Sequence, residues 1–123
     1  MNNFYLPISL GELYDKYSIL IIKSEKITDK NKLIEIKKEI DFLKPYITKF
    51  NLNEELETKI KNVNEILWDI EENIRKKEIN NEFDCEFINL ARLVYKTNDE
   101  RYKVKNEINK ILNSEINEIK SYI

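Results

Sequence analysis

Apolar residues recur along this chain at steps of three and four and nowhere alternate with period two for long, a helical pattern from near the start to near the end. Ser9 and Glu12 form a capping box that opens a first helix running to about Ile27, with Leu10, Leu13, Tyr14, Tyr17, Leu20, Ile21 and Ile27 at helical spacing. Ile19 and Ile22 add a second apolar flank, which places this helix at the centre of the fold or at an interface; a homodimer through the first helix and burial within one bundle are equally good explanations. Thr28 and Asp29 break and re-cap the chain before a seam of Leu33, Ile36, Ile40, Leu43, Ile47 and Phe50, inside which Pro45 is expected to kink or restart the helix. After a turn at Asn51 to Asn53, Leu56, Ile60, Val63, Leu67, Ile70 and Ile74 mark a long helix over about Glu54 to Ile79.

A turn at Asn80 to Phe83 leads to Asp84 as the next cap, followed by a core face of Phe87, Leu90, Ala91 and Val94. Thr97 and Glu100 form another capping box and predict a break near Tyr95 to Asn98. Val104, Ile108, Ile111 and Leu112 carry the next helix to Asn113 and Ser114, and Ile116, Ile119 and Ile123 suit a further helical segment. The expected fold is all-α: an antiparallel helical bundle of four to five helices with one long central helix, in a single domain over residues 1–123.

Composition removes most reaction classes. Histidine is absent, so zinc sites and Ser-His-Asp or Cys-His catalysis within one chain are excluded, and one glycine, Gly11, leaves no Gly-rich phosphate loop. No metal and no cofactor is expected. The 21 basic and 23 acidic residues are well mixed, which argues against nucleic acid and anionic membranes as partners; any anion site must be local. The longest uninterrupted apolar run, Ile19 to Ile22, is far too short to span a bilayer, and the first ten residues carry no basic leader. A single cysteine, Cys85, fits a reducing compartment and reads as a small apolar residue near a helix start; a cytoplasmic location is expected.

Asn, Ile and Lys fill nearly half the chain, so lysine is its default cation, and the three arginines stand out. Arg75, Arg92 and Arg101 all follow the only tryptophan, Trp68, at positions where a planar, five-donor guanidinium is of use. On the long helix Trp68, Glu71, Glu72, Arg75, Glu78 and Ile79 share a face. Either these are ordinary surface ion pairs, or Trp68 is a stacking wall and Arg75 is held by Glu71 or Glu78 to fork onto a carboxylate or phosphate. The second candidate cluster is Arg92, Tyr95, Thr97, Asn98, Asp99 and Arg101, where a helix restarting at Thr97 offers free amides next to Arg101. Arg92 and Arg101 are nine residues apart and lie on opposite sides of an unbroken helix, so their convergence depends on that break.

Glu12 and Lys16 on the first helix fit an i,i+4 pair. Glu12 and Asp15 match the second half of the magnesium-holding carboxylate motif of all-α nucleotide pyrophosphohydrolases, but no ExxE precedes them and Glu54 to Glu57 follows instead. All-α chorismate mutases carry arginines on the first helix, and this one has none.

The runs Leu10-Gly11-Glu12-Leu13-Tyr14-Asp15-Lys16, Leu67-Trp68-Asp69-Ile70-Glu71-Glu72, Leu90-Ala91-Arg92-Leu93-Val94-Tyr95 and Thr97-Asn98-Asp99-Glu100-Arg101, together with Ile74-Arg75, Lys77-Glu78 and Lys120-Ser121-Tyr122, resemble an uncharacterised bacterial family. It is a domain of unknown function, small and all-helical, found in marine and other proteobacteria, and the likeness covers nearly the whole chain. The resemblance implies no catalytic residue. Glu72 stands where the family pattern has Asp, and Asn113 where it has Gly, which weakens a glycine cap at that helix end.

Two functional readings follow. The first is a non-catalytic binding or adaptor module that recognises a protein partner or an anionic small molecule through Trp68, Arg75, Glu78, Arg92, Tyr95, Asn98, Asp99 and Arg101. The second is a small His-free enzyme acting on a phosphate- or carboxylate-bearing metabolite such as a nucleotide sugar. A deep cleft joining two arginines and an acid favours the enzyme, whereas arginines scattered over convex surfaces remove both.

Overall fold

The computed structural model describes residues 1–123 and places them in four α-helices with no strand. They are α1 (Leu10–Lys26), α2 (Lys30–Phe50), α3 (Glu54–Ile79) and α4 (Cys85–Ile111). Ser9, Asp29 and Asp84 cap their helices as the sequence announces, and Asn53, the last residue of the expected turn, caps α3; each accepts from the backbone N–H three residues on. No helix is long and apolar enough to cross a membrane.

Three expectations about element boundaries are corrected. There is no break near Thr97: α4 is continuous, Thr97 is buried in its middle, and core contacts on both sides outweigh a local capping signal. Pro45 does not divide α2, which runs through it to Phe50. No helix follows Ser114, and Ile119 and Ile123 are exposed in the non-helical tail over 112–123.

The enclosed helix is α1, which touches α2, α3 and α4, rather than the long α3; unbroken α4, at 27 residues, is the longest. Of the two apolar flanks of α1, Ile22 is buried within the chain and Ile19 is half-buried. The main core joins Tyr14 to Leu52, Leu56, Ile60, Val63 and Ile108. Full burial of side chains like Ile60 and Ile108 stabilises by roughly 1.5–3 kcal/mol each. The Tyr14 hydroxyl donates to the Ile47 carbonyl at 2.9 Å and accepts from the Leu52 N–H at 3.4 Å, tying α1 to the turn between α2 and α3. Burial raises the Tyr14 pKa, against the opposing pull of that Leu52 N–H.

The single glycine sits where two backbones meet. A Cβ on Gly11 would lie 2.4 Å from the Lys105 carbonyl oxygen, so only glycine lets α1 approach α4 this closely. The free amides at the start of α1 are taken by α4 and the tail: Gly11 N–H donates to Asn109 Oδ1 at 2.6 Å and Leu10 N–H to Ser114 Oγ at 3.0 Å.

The end of α4 corrects the reading of Asn113. Its φ is 54°, the left-handed conformation a glycine would supply, and it sits in a complete Schellman arrangement, with Ser114 N–H on the Asn109 carbonyl and Asn113 N–H on the Lys110 carbonyl. Asn81 repeats this after α3. Asparagine tolerates the left-handed region better than other non-glycine residues, and here it replaces glycine at both ends.

Candidate functional site

Polar residues at core phase on three helices converge between α1, α3 and α4. Asp15 of α1 is 1% exposed. It accepts from Arg101 Nε at 2.8 Å, from Arg101 Nη2 and from Asn64 Nδ2 at 2.9 Å; Asn64 Nδ2 also donates to Ser18 Oγ at 2.8 Å. The hydrogen-bonded Asp15 carboxylate raises the Arg101 pKa, outweighing burial, which acts the other way. One turn along α4, the buried Lys105 ammonium lies 2.7 Å from Glu12 and 2.9 Å from Glu118 of the tail. Burial lowers the Lys105 pKa, and these two carboxylates more than reverse it, so the net direction is upward.

This network reassigns the carboxylates of the first helix. Glu12 does not complete its capping box; it reaches across to Lys105, and Lys16 pairs with Glu39 of α2 at 3.0 Å rather than with Glu12. A central helix finds partners on its neighbours that surface spacing rules do not anticipate.

Above the network opens a cleft of about 470 Å³. α3 contributes Asn64, Leu67, Trp68, Glu71, Glu72 and Arg75, α4 contributes Asn98 and Arg101, and α1 contributes Ile19. Four of the sequence candidates, Trp68, Arg75, Asn98 and Arg101, therefore share one cavity. Arg75 is largely exposed and pairs with Glu71 at 3.4 Å, not with Glu78. Trp68 forms part of the wall, and its indole N–H is buried without a hydrogen-bond partner.

The other four candidates stand outside the cleft. Arg92, Tyr95 and Glu78 are exposed, and Asp99 is half-buried on α4 but does not line the cleft. The expected convergence of Arg92 with Arg101 fails because α4 does not break, so nine residues of helix put them on opposite sides. Sequence reasoning missed Asn64 and Lys105, and it weighed Asp15 only as a magnesium-holding carboxylate beside Glu12. The signal was present as polar side chains in phase with apolar ones: Asn64 between Ile60 and Leu67, and Arg101, Lys105 and Asn109 at four-residue steps around Ile108.

Chemically, the cleft offers hydrogen-bond donors on fixed supports, an apolar wall and two carboxylates. No three carboxylates or thiols gather into a group able to hold a metal ion, and Cys85 is exposed at the start of α4, away from the cleft lining. No curated protein and no solved structure matches the chain. The model of a family of unknown function, DUF6165, matches residues 4–123, and the chain therefore belongs to that family.

Proposed function

We propose that the chain is a non-catalytic binding module, an antiparallel helical bundle that takes a small anionic ligand in the Trp68–Arg101 cleft. One observation carries this reading. Arg101 is held from behind by a fully buried carboxylate while still lining a cavity that the only tryptophan also lines. A guanidinium fixed in one rotamer loses little freedom when it binds, which is how supporting carboxylates prepare arginines for oxyanions. The cavity lies within the usual size range of small-ligand sites, roughly 300–1,000 Å³. The antiparallel arrangement is supported by α3–α4 ion pairs at both ends, Lys59 with Glu107 and Lys77 with Asp84.

The test is a thermal-shift screen against carboxylates, sugar phosphates and nucleotides, followed by titration of Trp68 fluorescence. A ligand that binds the native state raises the melting temperature, and Trp68 in the cleft wall reports occupancy directly. Absence of any shift or emission change across the panel defeats the reading.

A second reading, a small enzyme on a carboxylate- or phosphate-bearing metabolite, is favoured by Glu72, a carboxylate in the same cleft that makes no ion pair. Turnover of a screened ligand that Glu72→Gln abolishes without weakening binding separates it from the first.

A further inference from the structure

The charges around the cleft narrow the ligand class, on the reading that the cleft binds a small molecule at all. Arg75 and Arg101 bring two positive charges to its lining, and Glu71 and Glu72 bring two negative ones. Asp15 lies directly beneath Arg101 and tips the local balance negative. A dianionic phosphate entering such a site gains little from the field as a whole.

Arg101 itself is partly used. Of its five N–H donors, Nε–H and one Nη2–H form the side-on fork to Asp15, and one Nη1–H points to Asn98 Oδ1 at a long 3.4 Å. One Nη1–H and one Nη2–H are left without a partner in the chain, and the end-on edge of a guanidinium is spaced for the two oxygens of a single carboxylate. Acceptors lie in the same cavity. Asn64 is 5% exposed and spends its amide hydrogens on Asp15 and Ser18, which leaves its carbonyl oxygen without a partner in the chain; the Glu72 carboxylate makes no ion pair. Ile19, Leu67 and Trp68 supply the apolar surface.

We infer that the ligand is a zwitterion of the α-amino-acid type with an apolar or aromatic side group. Its carboxylate sits on the end-on fork of Arg101, its ammonium on Glu72, and its side group on Trp68. A volume of about 470 Å³ accommodates one amino acid or a short peptide.

Calorimetric titration of the full chain with four ring-matched probes tests this: L-phenylalanine, 3-phenylpropanoate, 2-phenylethylamine and phenyl phosphate, with L-leucine as a second zwitterion. The expected result is saturable binding of the zwitterions, with L-phenylalanine at least ~10-fold tighter than either singly charged analogue, the effect of losing one charge-assisted hydrogen bond. Phenyl phosphate is expected to bind no better than 3-phenylpropanoate. Glu72→Gln, an exposed change that leaves the core untouched, should erase the preference for L-phenylalanine over 3-phenylpropanoate without weakening the latter. If phenyl phosphate or 3-phenylpropanoate binds as tightly as L-phenylalanine, the zwitterion inference is overturned and the anion-binding reading survives. Equal binding of the amine and the amino acid removes Arg101's role and overturns both, whereas silence from all five probes overturns the zwitterion inference and leaves the anion-binding reading to its own panel. An unchanged preference in Glu72→Gln removes the assigned ammonium site.

Discussion

Asp15→Asn strands a guanidinium while preserving the shape of the side chain it rests on. Asp15 is 1% exposed and accepts two hydrogen bonds from Arg101 and one from Asn64. Removing one partner of a buried ion pair costs roughly 3–5 kcal/mol, because the remaining charge has neither counter-ion nor full hydration. Arg101 keeps 28% of its side chain exposed, so water relieves part of that penalty and the low end, about 3 kcal/mol, is expected. For a chain of this length that corresponds to a fall in Tm of about 10 °C. Urea unfolding followed by far-UV circular dichroism reads the loss as a lower midpoint at unchanged slope. The double variant Asp15→Leu with Arg101→Met discriminates the cause, since replacing both charges by apolar groups removes the stranded charge. It should recover more than half of the loss, with about 1 kcal/mol remaining because Asn64 Nδ2 keeps only Ser18 as partner. An Asp15→Asn loss below about 1 kcal/mol, or a double variant no more stable than the single, refutes the stranded-charge argument.

Gly11→Ala should destabilise by roughly 1–3 kcal/mol in the same assay, although the exchange gains about 1 kcal/mol in an unconstrained helix, because the new Cβ meets the Lys105 backbone. A stabilised Gly11→Ala would show that α1 and α4 can separate freely. Asn113→Ala places an alanine at φ 54° and should cost about 1 kcal/mol, while Asn113→Gly should be tolerated. Lys105 has its pKa raised above the usual 10.5 in the folded chain. Its contribution is therefore complete below that value and disappears as pH rises through the folded value, so the native chain should lose stability above about pH 10.5 more steeply than Lys105→Met, as urea midpoints at mildly and strongly alkaline pH will show.

Where local chemistry decides, the sequence was sufficient. Ser9, Asp29, Asn53 and Asp84 start helices because a short polar side chain satisfies an orphan amide, whatever the rest of the fold does. Where two local signals compete with packing, it was not. Thr97 has the chemistry of a cap but lies in phase with Val94, Val104 and Ile108, and burying that stripe against α3 is worth more than one capped turn. The buried network was illegible for a different reason. Asp15 looks like any polar residue on an amphipathic helix until α3 and α4 are seen to cover α1 on both sides, and Arg101 then has its partner 86 residues away.

Stability alone does not require the pair at the base of the cleft, since two apolar side chains of similar size serve a core about as well. Nor does it require arginine. Lysine is this chain's default cation, arginine being three of 21 basic residues, and an ammonium at position 101 could neutralise Asp15 as a point charge. What lysine cannot do is grip Asp15 with one edge and present a second, coplanar pair of N–H groups. Arg101→Lys therefore separates the two roles. Stability should fall by only about 1 kcal/mol, less than for Asp15→Asn, because the buried carboxylate keeps a counter-charge. Binding of 3-phenylpropanoate and L-phenylalanine should fall together by ~10-fold or more, because the end-on fork is gone. An Arg101→Lys variant that binds both as the native chain does would mean that the planar fork is not used and that Arg101 belongs to the core alone.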